Sequence, residues 1–201
     1  MEHDTRVSPR LLGTLCIAGA LIGLADGIRL VALGRQLGPG LQALDTATQV
    51  ATLVAALGGL CGVFGLIALR ATGSNPVFRL LGYLPVISFV ATLIAGLAML
   101  AGVIKSDAES PVAVILVVVG DLLGPAVWLV VGILTIAARR LSGWRRFVPF
   151  AFVAAFVLGI IATEVTGLAG TFRIIYYAAM ALLGYAVQRT APAPQLRGAL
   201  A

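Results

Sequence analysis

The chain has 201 residues, 60% of them hydrophobic and only 11% charged, with a mean hydropathy of +1.07. A soluble domain carries about 45–50% apolar and about 25% charged residues, so a water-soluble fold is excluded. The net charge of +6 does not indicate nucleic acid, because the arginines sit mostly at the ends of apolar runs, where they orient membrane proteins.

Crossing the hydrocarbon core takes about 20 apolar residues in a helix. The sequence predicts an all-α bundle of six such spans, over residues 11–33, 46–69, 80–104, 111–138, 147–164 and 171–187. Residues 1–10 form a polar N-terminal tail, residues 11–189 one transmembrane domain, and residues 190–201 a Pro/Ala-rich tail expected to be flexible.

In the first span, Ala18-Gly19-Ala20 resembles a signal-peptidase site, but the apolar run continues past it, so an uncleaved helix is expected. Gly19, Gly23 and Gly27 form a stripe at four-residue spacing, which suits close helix packing. Asp26 and Arg29 lie three residues apart, so they can pair with each other or with a partner helix. Residues 34–45, with Gly-Pro-Gly at 38–40, read as a loop. The second span carries another close-packing surface, including Gly58 and Gly62.

Residues 70–76 read as a turn. In the third span Pro85, Ser88, Thr92, Gly96 and Met99 share a face, and the hydroxyls are expected to bond helix carbonyls or neighbouring helices. The fourth span holds one acid, Asp121, near its middle, flanked by Gly120, Gly124 and Pro125. Proline removes a backbone donor and crowds the carbonyl four residues back, here that of Asp121. An acid near the bilayer centre costs roughly 2.5–3.5 kcal/mol and usually faces the bundle interior. Asp121 is therefore a candidate proton, ion or ligand site. The alternative is a static role, either protonated and bonded to a neighbouring helix or paired with Arg29.

Arg139, Arg140, Arg145 and Arg146 flank Trp144, a basic turn expected to meet anionic lipid headgroups. The fifth span ends near Glu164. The sixth places Arg173, Tyr177, Met180, Gly184 and Gln188 on one face.

With the N-terminus inside, ten basic residues fall on the inner side and four (Arg29, Arg35, Lys105 and Arg173) on the outer. This asymmetry predicts cytoplasmic termini. Asp26, Arg29, Glu164 and Arg173 then lean outward, with Asp121 near the midplane and Tyr177 adding a hydroxyl. The blander reading makes Glu164 and Arg173 simple helix-end residues in headgroups. Of the fourteen basic residues only Lys105 is a lysine, a bias expected of a GC-rich bacterial genome and hence of a bacterial cytoplasmic membrane.

No phosphate loop, dinucleotide fingerprint, Ser/His/Asp constellation or Cys/His metal spacing is present, and no cofactor or metal is expected. The lone His3 lies in the tail, and Cys16 and Cys61 read as packing residues. Gly65–Arg70 (GLIALR) and the closing Leu182–Arg189 (LLGYAVQR) resemble segments of small six-span bacterial integral membrane proteins. That resemblance implies the fold and no activity.

Three functions stay open. The first is small-molecule or ion binding and transport through the cluster Asp26, Arg29, Asp121, Glu164, Arg173 and Tyr177. The second is a non-catalytic assembly subunit, or a homo-oligomer, using the glycine stripes as its interface. The third is an intramembrane enzyme with Asp121 or Glu164 as acid on a lipophilic substrate; the absence of paired membrane carboxylates counts against it.

Overall fold

A computed structural model describes residues 8–34, 45–102 and 123–190. These residues form helices α1 (Pro9–Ala32), α2 (Thr46–Ala68), α3 (Pro76–Leu81), α4 (Leu84–Leu100), α5 (Leu123–Ala138), α6 (Val148–Thr166) and α7 (Ala169–Thr190), with a short 3₁₀ turn at Gly143–Phe147 before α6. Five spans are long and apolar enough to cross a membrane, namely Pro9–Ala32, Thr46–Ala68, Pro76–Leu100, Gly143–Thr166 and Gly170–Thr190, and Gly124–Ala138 is a shorter apolar helix. The chain is thus a helical, multi-pass membrane protein by the length and composition of its helices.

The helix boundaries follow from local chemistry. Proline opens α1, α3, α4 and α6, where its missing N–H costs nothing. Asp45 caps α2 by accepting from the Thr48 N–H at 2.9 Å, and Asn75 caps α3 from Val77. Gly167 ends α6 in the left-handed region at φ 68°.

Two other helices end on a left-handed arginine instead, Arg70 after α2 and Arg139 after α5, both at φ 51°. After Arg70 the chain closes a Schellman turn, with the Ala71 N–H on the Leu66 carbonyl and the Arg70 N–H on that of Ile67. In both turns an apolar residue then tucks inward, Ala71 after the first arginine and Leu141 two residues after the second.

The third expected helix starts earlier than residue 80 and is broken. Pro85 has no N–H to continue the ladder, so Gly82 and Tyr83 form a turn between α3 and α4. The fifth and sixth expected spans form helices of 19 and 22 residues, long and apolar enough to cross a membrane. Of the expected fourth span only residues 123–138 are described, so Gly120 and Asp121 lie outside the described residues.

α1, α2 and α7 make the tightest part of the bundle. Gly19 meets Gly58 across α1 and α2, Gly13 meets Gly184 across α1 and α7, and Gly170 sits on the Gly27 carbonyl. Gly62 accommodates the Cys16 sulfur. The predicted stripes Gly19, Gly23, Gly27, Gly58 and Gly62 are therefore filled by the chain's own helices.

α4, α5 and α6 form the looser side. Only 11% of the most apolar stretch of Pro76–Leu100 is buried, against 50% for that of Thr46–Ala68, so the core lies toward α1, α2 and α7. The outer surface carries Ile87, Ile94, Leu97, Ile133, Leu158 and Val165, all exposed, as contact with lipid requires.

Candidate functional site

The polar residues converge at the end of the bundle where α1 finishes and α2 and α7 begin. Asp26 is buried, with 6% of its side chain exposed. Its Oδ1 accepts from Arg29 Nε at 3.0 Å, from Arg29 Nη2 at 2.8 Å and from the Thr48 hydroxyl at 3.2 Å. Arg29 reaches on to Asp45, with Nη1 to Oδ2 at 3.0 Å and Nη2 to Oδ1 at 2.8 Å, a fork-to-fork pair. Nη2 also lies 2.7 Å from Thr48 Oγ1, so one amine is shared among three acceptors.

From the opposite side, Arg173 Nη2 lies 3.0 Å from Asp26 Oδ2 and donates to Thr52 Oγ1 at 2.9 Å. The contact to Oδ2 is an ion pair off the hydrogen-bonding angle, because Oδ2 has no hydrogen bond among the described residues. The Arg173 guanidinium carbon sits 5.4 Å from the Tyr177 ring centroid, within cation–π reach.

Among the described residues, two carboxylates and two guanidiniums thus form one cluster joining three helices. Charges out of water demand this closeness. At the outer edge, the Asp45 carboxyl is held well below the usual carboxylate range, first by the Arg29 guanidinium and then by the Thr48 N–H.

Inward from Arg173 lies a partly open cavity of about 180 Å³, lined by five helices. α2 contributes Thr52 and Ala56, and α4 contributes Ser88, Phe89 and Thr92. α5 adds Gly124, Pro125 and Trp128, while Phe152 and Phe156 come from α6. Phe172, Arg173, Tyr176 and Tyr177 of α7 complete the wall.

The rings brace one another. Trp128 stacks on Phe152 at 4.1 Å and 4°, Tyr176 meets Phe152 edge-on at 5.6 Å, and Phe172 meets Phe156 edge-on at 5.6 Å. Glycines seat several of them: a side chain at Gly23 would collide with the Tyr177 ring, one at Gly59 with Phe89, and one at Gly159 with Phe172. Thr92 Oγ1 donates to the Ser88 carbonyl at 2.9 Å and Thr52 Oγ1 to that of Thr48 at 2.7 Å, so these hydroxyls are locally committed as donors.

The structure brings together four of the six predicted site residues: Asp26, Arg29, Arg173 and Tyr177. Glu164 is exposed near the end of α6 and makes no ion pair among the described residues, so it is not part of this cluster. Gly124 and Pro125, expected as part of the helix break beside Asp121, line the cavity. The sequence reading missed Asp45, Thr48 and Thr52, of which Asp45 had a signal, since an aspartate directly before an apolar run marks a helix start. The aromatic wall had none, because its rings come from separate helices.

The chain matches no protein-family model, no curated protein and no solved structure. Among the described residues no group of His, Cys, Asp or Glu is placed to hold a metal ion.

Proposed function

We propose that this chain is a six-span protein of a bacterial cytoplasmic membrane, with both termini cytoplasmic, that binds a small molecule in the cavity beneath Arg173 as the step on which its transport rests. The observation that carries the reading is the cavity itself. It is lined by five helices, walled by aromatic rings, and has a largely buried cation at one end. Ligand sites are concave and mostly apolar, with few polar groups.

The arginine asymmetry supports the orientation. In that frame Asp26 lies about 9 Å inside the outer end of α1, six residues before Ala32 at 1.5 Å each. The charged cluster then faces the outside and the cavity sits deeper. On the opposite, inner face, Trp144 stacks on Tyr185 at 6.2 Å, and Arg189 covers the other aromatic contact of Tyr185 at 5.4 Å. That braced rim supports contact of Arg139, Arg140, Arg145 and Arg146 with anionic lipid.

The test uses the two tryptophans, Trp128 in the cavity wall and Trp144 at the rim. In nanodiscs, the Trp144→Phe protein should show saturable quenching of Trp128 by iodobenzene. Adding Ala56→Phe fills the cavity and should leave only the non-saturable quenching due to iodobenzene dissolved in lipid. Equal saturable quenching in both proteins would remove the cavity as a binding site.

A further inference from the structure

The helices of this bundle finish in two ways. α1, α4 and α6 end on left-handed glycines, Gly34, Gly102 and Gly167, at φ 61°, 68° and 68°. α2 and α5 finish at the other end of the bundle, and there the left-handed position holds Arg70 and Arg139, both at φ 51°. Glycine takes this conformation without strain, whereas a side chain crowds the following carbonyl. The helix dipole favours a cation near a C-terminus but does not require one at the left-handed residue. An arginine kept twice where glycine is easier points to a use for the side chain rather than for the cap.

The two caps lie side by side. Gly73, in the turn that follows Arg70, would place a Cβ 3.4 Å from that of Ala138, the residue before Arg139, and 3.9 Å from the Phe78 ring of α3. Arg70, Arg79 and Arg139 come from three elements that meet around Gly73, and all three are exposed, as is Arg140. Among the described residues none of these four makes an ion pair, and that end of the bundle carries no acid. The described carboxylates, Asp26, Asp45 and Glu164, lie at the opposite end. Exposed guanidiniums without counter-charges call for an anion, and phosphate oxygens match their fork. On α3, Val77 and Leu80 beside Arg79 are 58% and 71% exposed. A soluble anion would leave them in water, whereas a phospholipid covers them with acyl chain and brings its phosphate to the arginines.

Resting on the orientation and the lipid contact proposed above, we infer that Arg70 and Arg139, with Arg79 and Arg140, form a built site for the headgroup phosphate of an anionic phospholipid. The caps fix where the two arginines leave the backbone, and the fold gives up some stability to keep them there.

The experiment compares melting in phosphatidylcholine nanodiscs with and without added phosphatidylglycerol, read by a thiol-reactive dye that reaches the buried Cys16 on unfolding. Phosphatidylglycerol should raise the melting point of the parent protein by about 4 °C. The variant carrying Arg70→Gly and Arg139→Gly should melt about 4 °C above the parent in phosphatidylcholine alone, because the strain is gone, and should lose most of the response to phosphatidylglycerol. Removing two other charges of the rim, with Arg145→Gln and Arg146→Gln, should leave most of that response. A glycine variant that melts below the parent in phosphatidylcholine, or does not fold, would show that the arginines serve the caps themselves and would overturn the inference. So would a response undiminished by the glycine pair. Equal losses in the two double variants would overturn the built site while leaving general contact of the rim with anionic lipid. No response in the parent would instead overturn that lipid contact.

Discussion

The two sides of this bundle are built on opposite packing rules. Where α1 meets α2 and α7, glycine faces glycine, and a single added methyl would strike backbone. Where α4, α5 and α6 close the ring, large aromatic side chains meet and a void remains between them. Backbone contact leaves nothing to adjust, whereas side chains of α4–α6 can shift or be trimmed. The tight side fixes geometry, and the loose side has room for a guest.

The sharpest way to break the comparison is on the tight side. A Cβ at Gly184 would lie 2.7 Å from the Gly13 carbonyl oxygen and 2.9 Å from the Ile17 nitrogen. Gly184→Leu should therefore cost about 4 kcal/mol and appear as loss of monodisperse protein on size-exclusion chromatography in detergent.

Next in size is the charged cluster that ties α1, α2 and α7 together. Asp26→Ala leaves the Arg173 guanidinium, only 14% exposed, without its counter-charge. A melting assay should show a loss of about 3 kcal/mol. A change within error would mean that Arg173 finds another partner and that the cluster is not what holds α7 to α1.

A smaller effect falls at the edge. Because Arg29 and Thr48 depress the Asp45 pKa, its contribution is fully present above the unfolded value near pH 4 and fades as pH falls from there toward the folded value. Melting temperature should drop on acidification below about pH 4. The drop should be shallower in Asp45→Asn, which has no carboxyl to titrate and still caps α2. Parallel curves would sink this assignment.

The smallest effect belongs to the loose side. Gly124 lines the cavity, and no atom of the described residues lies within 4 Å of an added Cβ. Gly124→Ala should leave stability within about 0.5 kcal/mol. The contrast between 184 and 124 is the cleanest measure of the difference between the two sides.

Much of the tight side was legible in the sequence. Four-residue glycine spacing, the three-residue interval from Asp26 to Arg29, and the shared face of Arg173, Tyr177 and Gly184 are all properties of one helix at a time. Helical periodicity carries such information directly. The loose side was not legible, because Trp128, Phe152 and Phe172 acquire meaning only when three helices are set at particular depths and rotations. Asp45 fell between the two. It belongs to a loop by composition, and its bond to Arg29 spans 16 residues, but its position as a cap could be read. The break before α4 was also readable in Pro85, but a long apolar run hid it.

Gly23 connects the halves, since the Tyr177 phenol rests on the spot where any side chain at 23 would grow. That makes position 23 a remote volume control. Each atom added there pushes the ring off α1, and the space lost or gained is counted inside the cavity that Tyr177 lines. If that cavity binds as proposed, its preference for guest size can drift through a residue that no guest touches.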